Sequence, residues 1–332
     1  MNILAIESSC DETSAAVICN GKIRSNVIAT QLIHQAYGGV VPELASRAHQ
    51  QVVLPVVDKA IQDAKIAKKD LQAIAFTRGP GLMGALLVGT SFAKSMALGL
   101  GIPLIDVNHM QAHVLAHFIE EPKPQFPFLC LTVSGGHTQI VLVRDYLNME
   151  VIGQTLDDAV GEAFDKSAKL LDLPYPGGPL IDKYAQSGNP KAYDFPIPNV
   201  PGLNFSFSGI KTSILYFLQR SIKQNPDFIS ENLPDICASI QCTLVKILLK
   251  KLRKATELTG IREVAIAGGV SANSGLRTTL LAEGEKQNWN VYIPRFEYCT
   301  DNAAMIAIAA HFKYLNNDFT DQMVSPLARM EL

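Results

Sequence analysis

Two apolar strands joined by a short polar turn occur twice in this chain, and a repeat of that kind commits it to two similar sheets. Residues 2–7 and 14–19 flank Ser8-Ser9-Cys10-Asp11-Glu12-Thr13, and residues 128–133 and 139–143 flank Ser134-Gly135-Gly136-His137-Thr138. Laid on each other without gaps, Ser134 falls on Ser9 and Thr138 on Thr13. Asn20-Gly21 turns the first hairpin into a third strand at 23–29. Helix 44–64, strand 73–77, a helix to 98 and strand 101–107 follow. That order gives an α/β layer architecture. Glu120-Glu121-Pro122-Lys123-Pro124-Gln125-Phe126-Pro127 reads as a linker, and 332 residues suffice for two lobes. Beyond it the pattern predicts a helix over 157–171, a short helix carrying Asp182 and a helix opening near Ser206. A loop at 225–234, a helix over 235–258, strands at 263–267 and 290–293 and a last helix over 301–314 complete the chain.

His109 and His113 stand four apart on a helix, so they share a face and can aim at one point. Two neutral imidazoles suit a divalent transition metal but do not close a site. Asp301, in Cys299-Thr300-Asp301-Asn302, is the candidate third ligand from far along the chain. The alternative is two satisfied helix histidines and an aspartate that merely caps the last helix. His117 continues the spacing and reads as a helix residue. The pair is not that of a zinc protease, because His109-Met110-Gln111-Ala112-His113 lacks the glutamate base of H-E-x-x-H.

Glycine-rich turns at 79–84, 134–138, 177–178 and 268–269 lie at element ends. Glycine lets the backbone approach an anion, and a helix N-terminus offers free N–H groups. Their recurrence in a duplicated chain points to phosphate binding between the lobes. Gly79-Pro80-Gly81-Leu82-Met83-Gly84 also satisfies G-x-G-x-x-G. A hairpin precedes it, and the best acid, Asp106, ends a later strand, so a nicotinamide fold is disfavoured. Asp165 and Asp182 read either as helix acids that are salt-paired and solvated, or as acceptors for ribose hydroxyls beside a Gly-Gly turn.

A formal charge of −2 argues against a strongly basic nucleic-acid binder, so an RNA partner needs a local patch or a helper protein. Lys246, Lys250, Lys251, Arg253 and Lys254 form either a solvated helix face or a phosphate contact. Six scattered cysteines without C-x-x-C indicate reduced thiols and a cytoplasmic location. The N-terminus lacks the basic start and apolar run of a signal peptide. Residues 82–102, interrupted by Lys94, read as a buried helix rather than a membrane span.

Further segments complete the pattern: Gly38-Gly39-Val40-Val41-Pro42-Glu43-Leu44-Ala45-Ser46-Arg47, Gly161-Glu162-Ala163-Phe164-Asp165-Lys166 and Tyr175-Pro176-Gly177-Gly178-Pro179. Phe205-Ser206-Phe207-Ser208-Gly209 and Gly268-Gly269-Val270-Ser271-Ala272-Asn273 follow in order. With the acidic turn, the histidine pair and Cys299-Thr300-Asp301-Asn302, these segments resemble the tRNA threonylcarbamoyladenosine transferase family. Its bacterial members are the TsaD proteins, once described as O-sialoglycoprotein endopeptidases. The departures, Gln111-Ala112 between the histidines and Ser274 after Asn273, remove no implied ligand.

The resemblance implies the actin/Hsp70/sugar-kinase (ASKHA) fold: two ribonuclease-H-like lobes, 1–124 with 300–332 and 125–299, with the active site in the cleft between them. It implies Fe(2+), with zinc or magnesium as alternatives, on His109, His113 and Asp301. Threonylcarbamoyl-AMP would lie on Thr132, Val133, Ser134, Gly135 and Gly136, with Asp165, Gly178, Asp182 and Asn273 around its nucleoside and phosphate. tRNA is the implied acceptor, and a TsaB-like paralogue and a TsaE-like ATPase are the implied partners. Asp11 or Glu12 is the candidate for taking the proton of the attacking amine. The rival readings are a non-catalytic ATP-binding scaffold of the same fold and, weakened by Met110, a metallopeptidase.

Overall fold

The computed structural model describes residues 1–332, apart from the side chains of Leu32, Gln35 and Ala36. The chain begins with β1 (Asn2–Glu7), β2 (Glu12–Cys19), β3 (Lys22–Thr30), α1 (Pro42–Asp63), β4 (Ala73–Gly79), α2 (Met83–Leu100), β5 (Leu104–Asn108) and α3 (His109–Leu115). It continues with β6 (Phe128–Val133), β7 (Thr138–Asp145), β8 (Asn148–Gln154), α4 (Val160–Leu170), α5 (Gly178–Ala185), α6 (Ser208–Gln224) and α7 (Phe228–Thr259). β9 (Glu263–Ala267), α8 (Ser274–Gln287), β10 (Asn290–Tyr292) and α9 (Ala303–Leu315) end it.

The duplication is exact in topology. One sheet has the order β3-β2-β1-β4-β5 and the other β8-β7-β6-β9-β10. In each, an antiparallel meander meets two parallel strands. The hairpin register also repeats: Glu7 faces Ser14 in the first sheet, and Thr132 faces Gln139 in the second. Thr132 therefore stands where Glu7 stands in the first repeat. The third strand of the second meander, β8, was not legible in the sequence.

Two compact units result: Met1–Lys123 with Asp145–Met149 and Pro294–Leu332, and Pro124–Arg144 with Glu150–Ile293. In the first unit, Leu4, Ile6, Ile74 and Phe76 share a core with Val53 and Val57 of α1 and Ala93 and Ala97 of α2. Side chains alternate across a strand, so Ile3, Ala5 and Ile18 are buried on the other face, where α9 lies against β1, β2 and β3. The inner stripe of α2, Ala85, Gly89, Ala93 and Ala97, is small enough for close approach to the sheet. In the second unit, Leu129, Leu131, Val264 and Ile266 pack with Phe164, Ile181, Ile240 and Leu244 from α4, α5 and α7. By length and composition α2 and α7 could each cross a membrane. In this fold 67% of the apolar window of α7 is buried, but only 33% of that of α2, where Ala93 and Ala97 meet the core while Leu87 and Leu98 are exposed, so the expected buried helix is buried on one face only.

One element departs from the sequence reading. The expected loop at 225–234 is largely helix, because α7 starts at Phe228 and runs through Pro234. Proline removes one ladder bond. The turn holds because Glu231 N bonds Asp227 O at 3.0 Å, Asn232 Nδ2 bonds Phe228 O at 2.9 Å, and the Phe228 ring packs on Phe217 and Tyr193.

Candidate metal centre and nucleotide face

β5 ends at Asn108, whose Oδ1 accepts from Met110 N at 2.8 Å and Gln111 N at 3.1 Å and so starts α3. This cap places His109 and His113 one turn apart, with ring centroids 4.7 Å apart, edge to face. Asp301 Oδ1 lies 3.3 Å from His109 Nε2 and 3.1 Å from His113 Nε2. Asp301 is not the cap of α9. Asn302 takes that role, its Oδ1 accepting from Met305 N at 3.1 Å, which leaves the Asp301 carboxylate to the imidazoles. The three donor atoms lie within 4.8 Å of one another. Donors sharing one ion at ordinary bond lengths stand about 3.0–3.5 Å apart; the two spacings from Asp301 Oδ1, 3.3 and 3.1 Å, meet this, so the carboxylate is placed to share a cation with either imidazole. Two imidazoles and one carboxylate are a donor set compatible with a divalent metal ion. His117 is buried in the 3-10 turn Ala116–Phe118 and is not among the three converging groups.

His109 also has outer support, from a residue that the sequence reading missed. Its Nδ1 lies 3.0 Å from Glu7 Oε2 and 3.2 Å from Ser9 Oγ. With Nδ1–H donated to that carboxylate, the Nε2 lone pair is left for a cation. Glu7, fully buried at the end of β1, also accepts from Thr77 Oγ1 at 2.6 Å and from Ser9 N. The signal was present: an acid closes the apolar run Ile3-Leu4-Ala5-Ile6, and a buried acid needs partners. The Nδ1 of His113, by contrast, is buried and without a hydrogen-bond partner.

Burial alone would push Glu7 up, but the charge and hydrogen bond of His109 outweigh it and hold the carboxyl below its ordinary value. Burial likewise opposes charge on His109, yet Asp301 and Glu7 raise its pKa well above the usual imidazole value. For His113 burial wins and the pKa falls. Asp301 is held low because His109 and His113 overcome its desolvation. Without a cation, the proton that Asp301 and Glu7 favour on His109 therefore competes with one. Cation binding must expel that proton. Apparent cobalt(II) affinity is expected to rise about tenfold per pH unit and level off above the raised His109 pKa. Titrations at several pH values test this; a flat profile across neutral pH would contradict it.

The Ser8–Thr13 turn carries Asp11 and Glu12 beside this cluster. His49 fixes it: Nε2–H donates to the Cys10 carbonyl at 3.0 Å, and Nδ1 accepts from Thr13 Oγ1 at 2.6 Å. Burial, then the nearby charges of Asp301 and Asp11 and a hydrogen bond with Asp11, push Glu12 up to about 9.

In the second unit the expected substrate residues form a connected framework. Asp165 Oδ1 accepts from Gly177 N at 2.9 Å and Gly178 N at 3.1 Å, in place of an ion pair with Lys169. Burial raises its pKa, with those two N–H groups opposing. Asp182 is not simply solvated; it accepts from Ser274 N at 2.9 Å and Ser274 Oγ at 2.6 Å. Asn273 caps α8 through Leu276 N and donates to Gln241 Oε1 at 2.7 Å. Thr132 is buried, and its hydroxyl faces Gln139 O at 3.4 Å. Thr132, Val133 and Ser134 lead into Gly135 and Gly136, where an added Cβ would meet nothing within 4 Å; the same holds at Gly269. The turn at 79–84 is different. A Cβ on Gly79 would strike the Leu327 carbonyl, and one on Gly81 would lie 2.5 Å from the Ser9 carbonyl. Gly79 and Gly81 are therefore required by chain packing. Of the basic run, Lys251 turns inward, its Nζ on Val200 O and Gly202 O at 2.6 and 2.9 Å, while Lys246, Lys250 and Lys254 are exposed.

Solved structures sharing this architecture include component A of (R)-2-hydroxyglutaryl-CoA dehydratase from Acidaminococcus fermentans. It has a TM-score of 0.54 and 14% identity, over 93% of this chain and 96% of that one. A ROK hexokinase from Thermus thermophilus has a TM-score of 0.51 and 16% identity, over 95% of this chain and all of that one. The fold is thus of the actin/Hsp70/sugar-kinase class. Residues 22–308 match TsaD, tRNA N6-adenosine threonylcarbamoyltransferase. The chain is 67% identical to the protein of that name from Christiangramia forsetii, over 99% of this chain and 98% of the relative. It is 62% identical to that of Cytophaga hutchinsonii, over 100% and 97%. The chain belongs to the tRNA N6-adenosine threonylcarbamoyltransferase family and is a transferase.

Proposed function

We propose that this transferase moves the threonylcarbamoyl group from threonylcarbamoyl-AMP to N6 of adenosine 37, in tRNAs reading ANN codons, and releases AMP. The observation that carries the reading is the convergence of His109, His113 and Asp301, in a chain of this family, beside a turn bearing two carboxyls. The exocyclic amine of adenosine is a poor nucleophile, because its lone pair is delocalised into the purine. Rate must therefore come from polarising the acyl carbonyl and from positioning. A divalent iron on the triad, or zinc in its place, would supply a Lewis acid.

The chain's own groups supply the rest. Gly135, Gly136 and Gly269 leave backbone open to the adenylate phosphate. Asp165 spends Oδ1 on Gly177 and Gly178, which leaves Oδ2 for a ribose hydroxyl. Asp182 and Asn273 hold the start of α8 and Gln241 in place around the nucleoside. Glu12, pushed up to about 9, is protonated at neutral pH in the cation-free chain. Asp11 shares a hydrogen bond with Glu12, and one of the two is the candidate for taking the amine's proton.

The test is reconstitution with threonylcarbamoyl-adenylate and tRNA, followed by nucleoside mass spectrometry. Asp11→Ala is expected to fold normally and lose transfer by about 10²-fold or more. Unchanged turnover in both Asp11→Ala and Glu12→Ala would remove the pair from the mechanism. The near-neutral charge accords with help from a TsaB-like paralogue and a TsaE-like ATPase in engaging tRNA, in the cytoplasm.

A further inference from the structure

Chain termini normally fray. The last residues of this one do not lie free, although most of their side chains point to solvent. Their backbone is held instead. Lys94 Nζ donates to Val324 O at 3.0 Å, and Arg78 Nε to Ser325 O at 3.1 Å. Leu327 N bonds Arg78 O at 2.8 Å, and Gly81 N bonds Ala328 O at 3.2 Å. Finally, Asn108 Nδ2 donates to Glu331 O at 2.8 Å. The glycine at 79 is what admits this segment, since any side chain there would strike the Leu327 carbonyl.

Asn108 is the residue that matters. It is 7% exposed, and both ends of its amide are used. Oδ1 caps the helix that carries the two histidines, and Nδ2 grips the chain's end. Rotation of that amide would break both sets of bonds at once. Its orientation, and with it the first turn of α3, is set by a carbonyl more than two hundred residues away in sequence.

We infer that the carboxy-terminal segment is a positioning element of the metal centre, acting through Asn108. The inference rests on the metal reading of His109, His113 and Asp301. The test is cobalt(II) titration of the full chain, read by its visible absorption bands. Asn108→Ser retains a capping oxygen, because serine caps helices about as well as asparagine, but its short hydroxyl does not reach Glu331. A chain ended after Arg329 loses the Glu331 carbonyl. Each change is expected to weaken cobalt(II) binding about tenfold and to alter the absorption bands, as loss of a ligand's outer support does. Together they are expected to do no more than either alone. Glu331→Ala, which retains the carbonyl, is expected to bind as wild type does.

Wild-type cobalt(II) affinity in a folded truncated chain would overturn the inference. So would effects that multiply to about 100-fold in the double variant. Should the truncated chain fail to fold by circular dichroism, full-length Asn108→Ser decides, and an unchanged affinity there overturns it. A wild-type chain that binds no cobalt(II) would instead defeat the metal reading and take this inference with it.

Discussion

Asp301→Asn is expected to leave the fold intact and abolish both cation binding and threonylcarbamoyl transfer. The change keeps the shape of the side chain and removes the one anionic oxygen that lies within 3.3 Å of both imidazole Nε2 atoms. Losing a ligand should cost more than the 10–100-fold associated with losing an outer partner, so cobalt(II) affinity should fall by well over about 10²-fold. Folding should survive because α9 is capped by Asn302, not by Asp301. His109→Ala is a poorer probe. It strips the fully buried Glu7 of its imidazole partner, and breaking a buried pair costs about 3–5 kcal/mol. A loss of activity there would confound chemistry with stability. Unchanged cobalt(II) affinity and turnover in Asp301→Asn would remove the cation from the mechanism.

The contrast between Asp301 and Asn302 shows what a sequence carries and what it withholds. Both are good helix caps and they are adjacent, so the pattern alone left open which one starts α9. Only the fold assigns one to the helix and frees the other for the histidines. The strands β1 and β6 were legible to the residue, because apolar runs end abruptly in polar turns. β8 was not, since Asn148–Gln154 alternates exposed and half-buried positions and offers no apolar run. Pro234 misled for a physical reason: a proline costs a helix one bond, and tertiary contacts to Phe228 outweighed that local loss.

The carboxy-terminal segment was illegible altogether. It is held mostly through backbone groups, and backbone groups leave no pattern in side chains. Its docking also gives the glycine at 79 a packing role that the sequence did not show. Glycine permits close approach of an anion and of the chain's own carbonyls alike, and the residue type does not say which.

That ambiguity divides the glycines into two groups, and one substitution should separate them. Gly268 has φ +87° and a would-be Cβ only 2.5 Å from Val133 O. The strand cannot yield, because Val133 pairs with Thr138 and the neighbouring Thr132 with Ala267. With ψ 167° this is a backbone region essentially reserved for glycine, which costs an alanine about 1–3 kcal/mol, and the clash adds to it. Gly268→Ala should therefore lose at least about 2 kcal/mol in urea unfolding. Gly135→Ala and Gly136→Ala meet nothing within 4 Å, so stability should change by less than about 0.5 kcal/mol. If the adenylate lies against that turn, each new methyl occupies its space. AMP affinity should then fall about tenfold or more, from the roughly 1–3 kcal/mol of an overpacked contact. Calorimetric AMP titration of the three variants decides. Wild-type AMP binding in Gly135→Ala and Gly136→Ala would place the nucleotide elsewhere, and full stability in Gly268→Ala would mean that the β6–β9 wall moves.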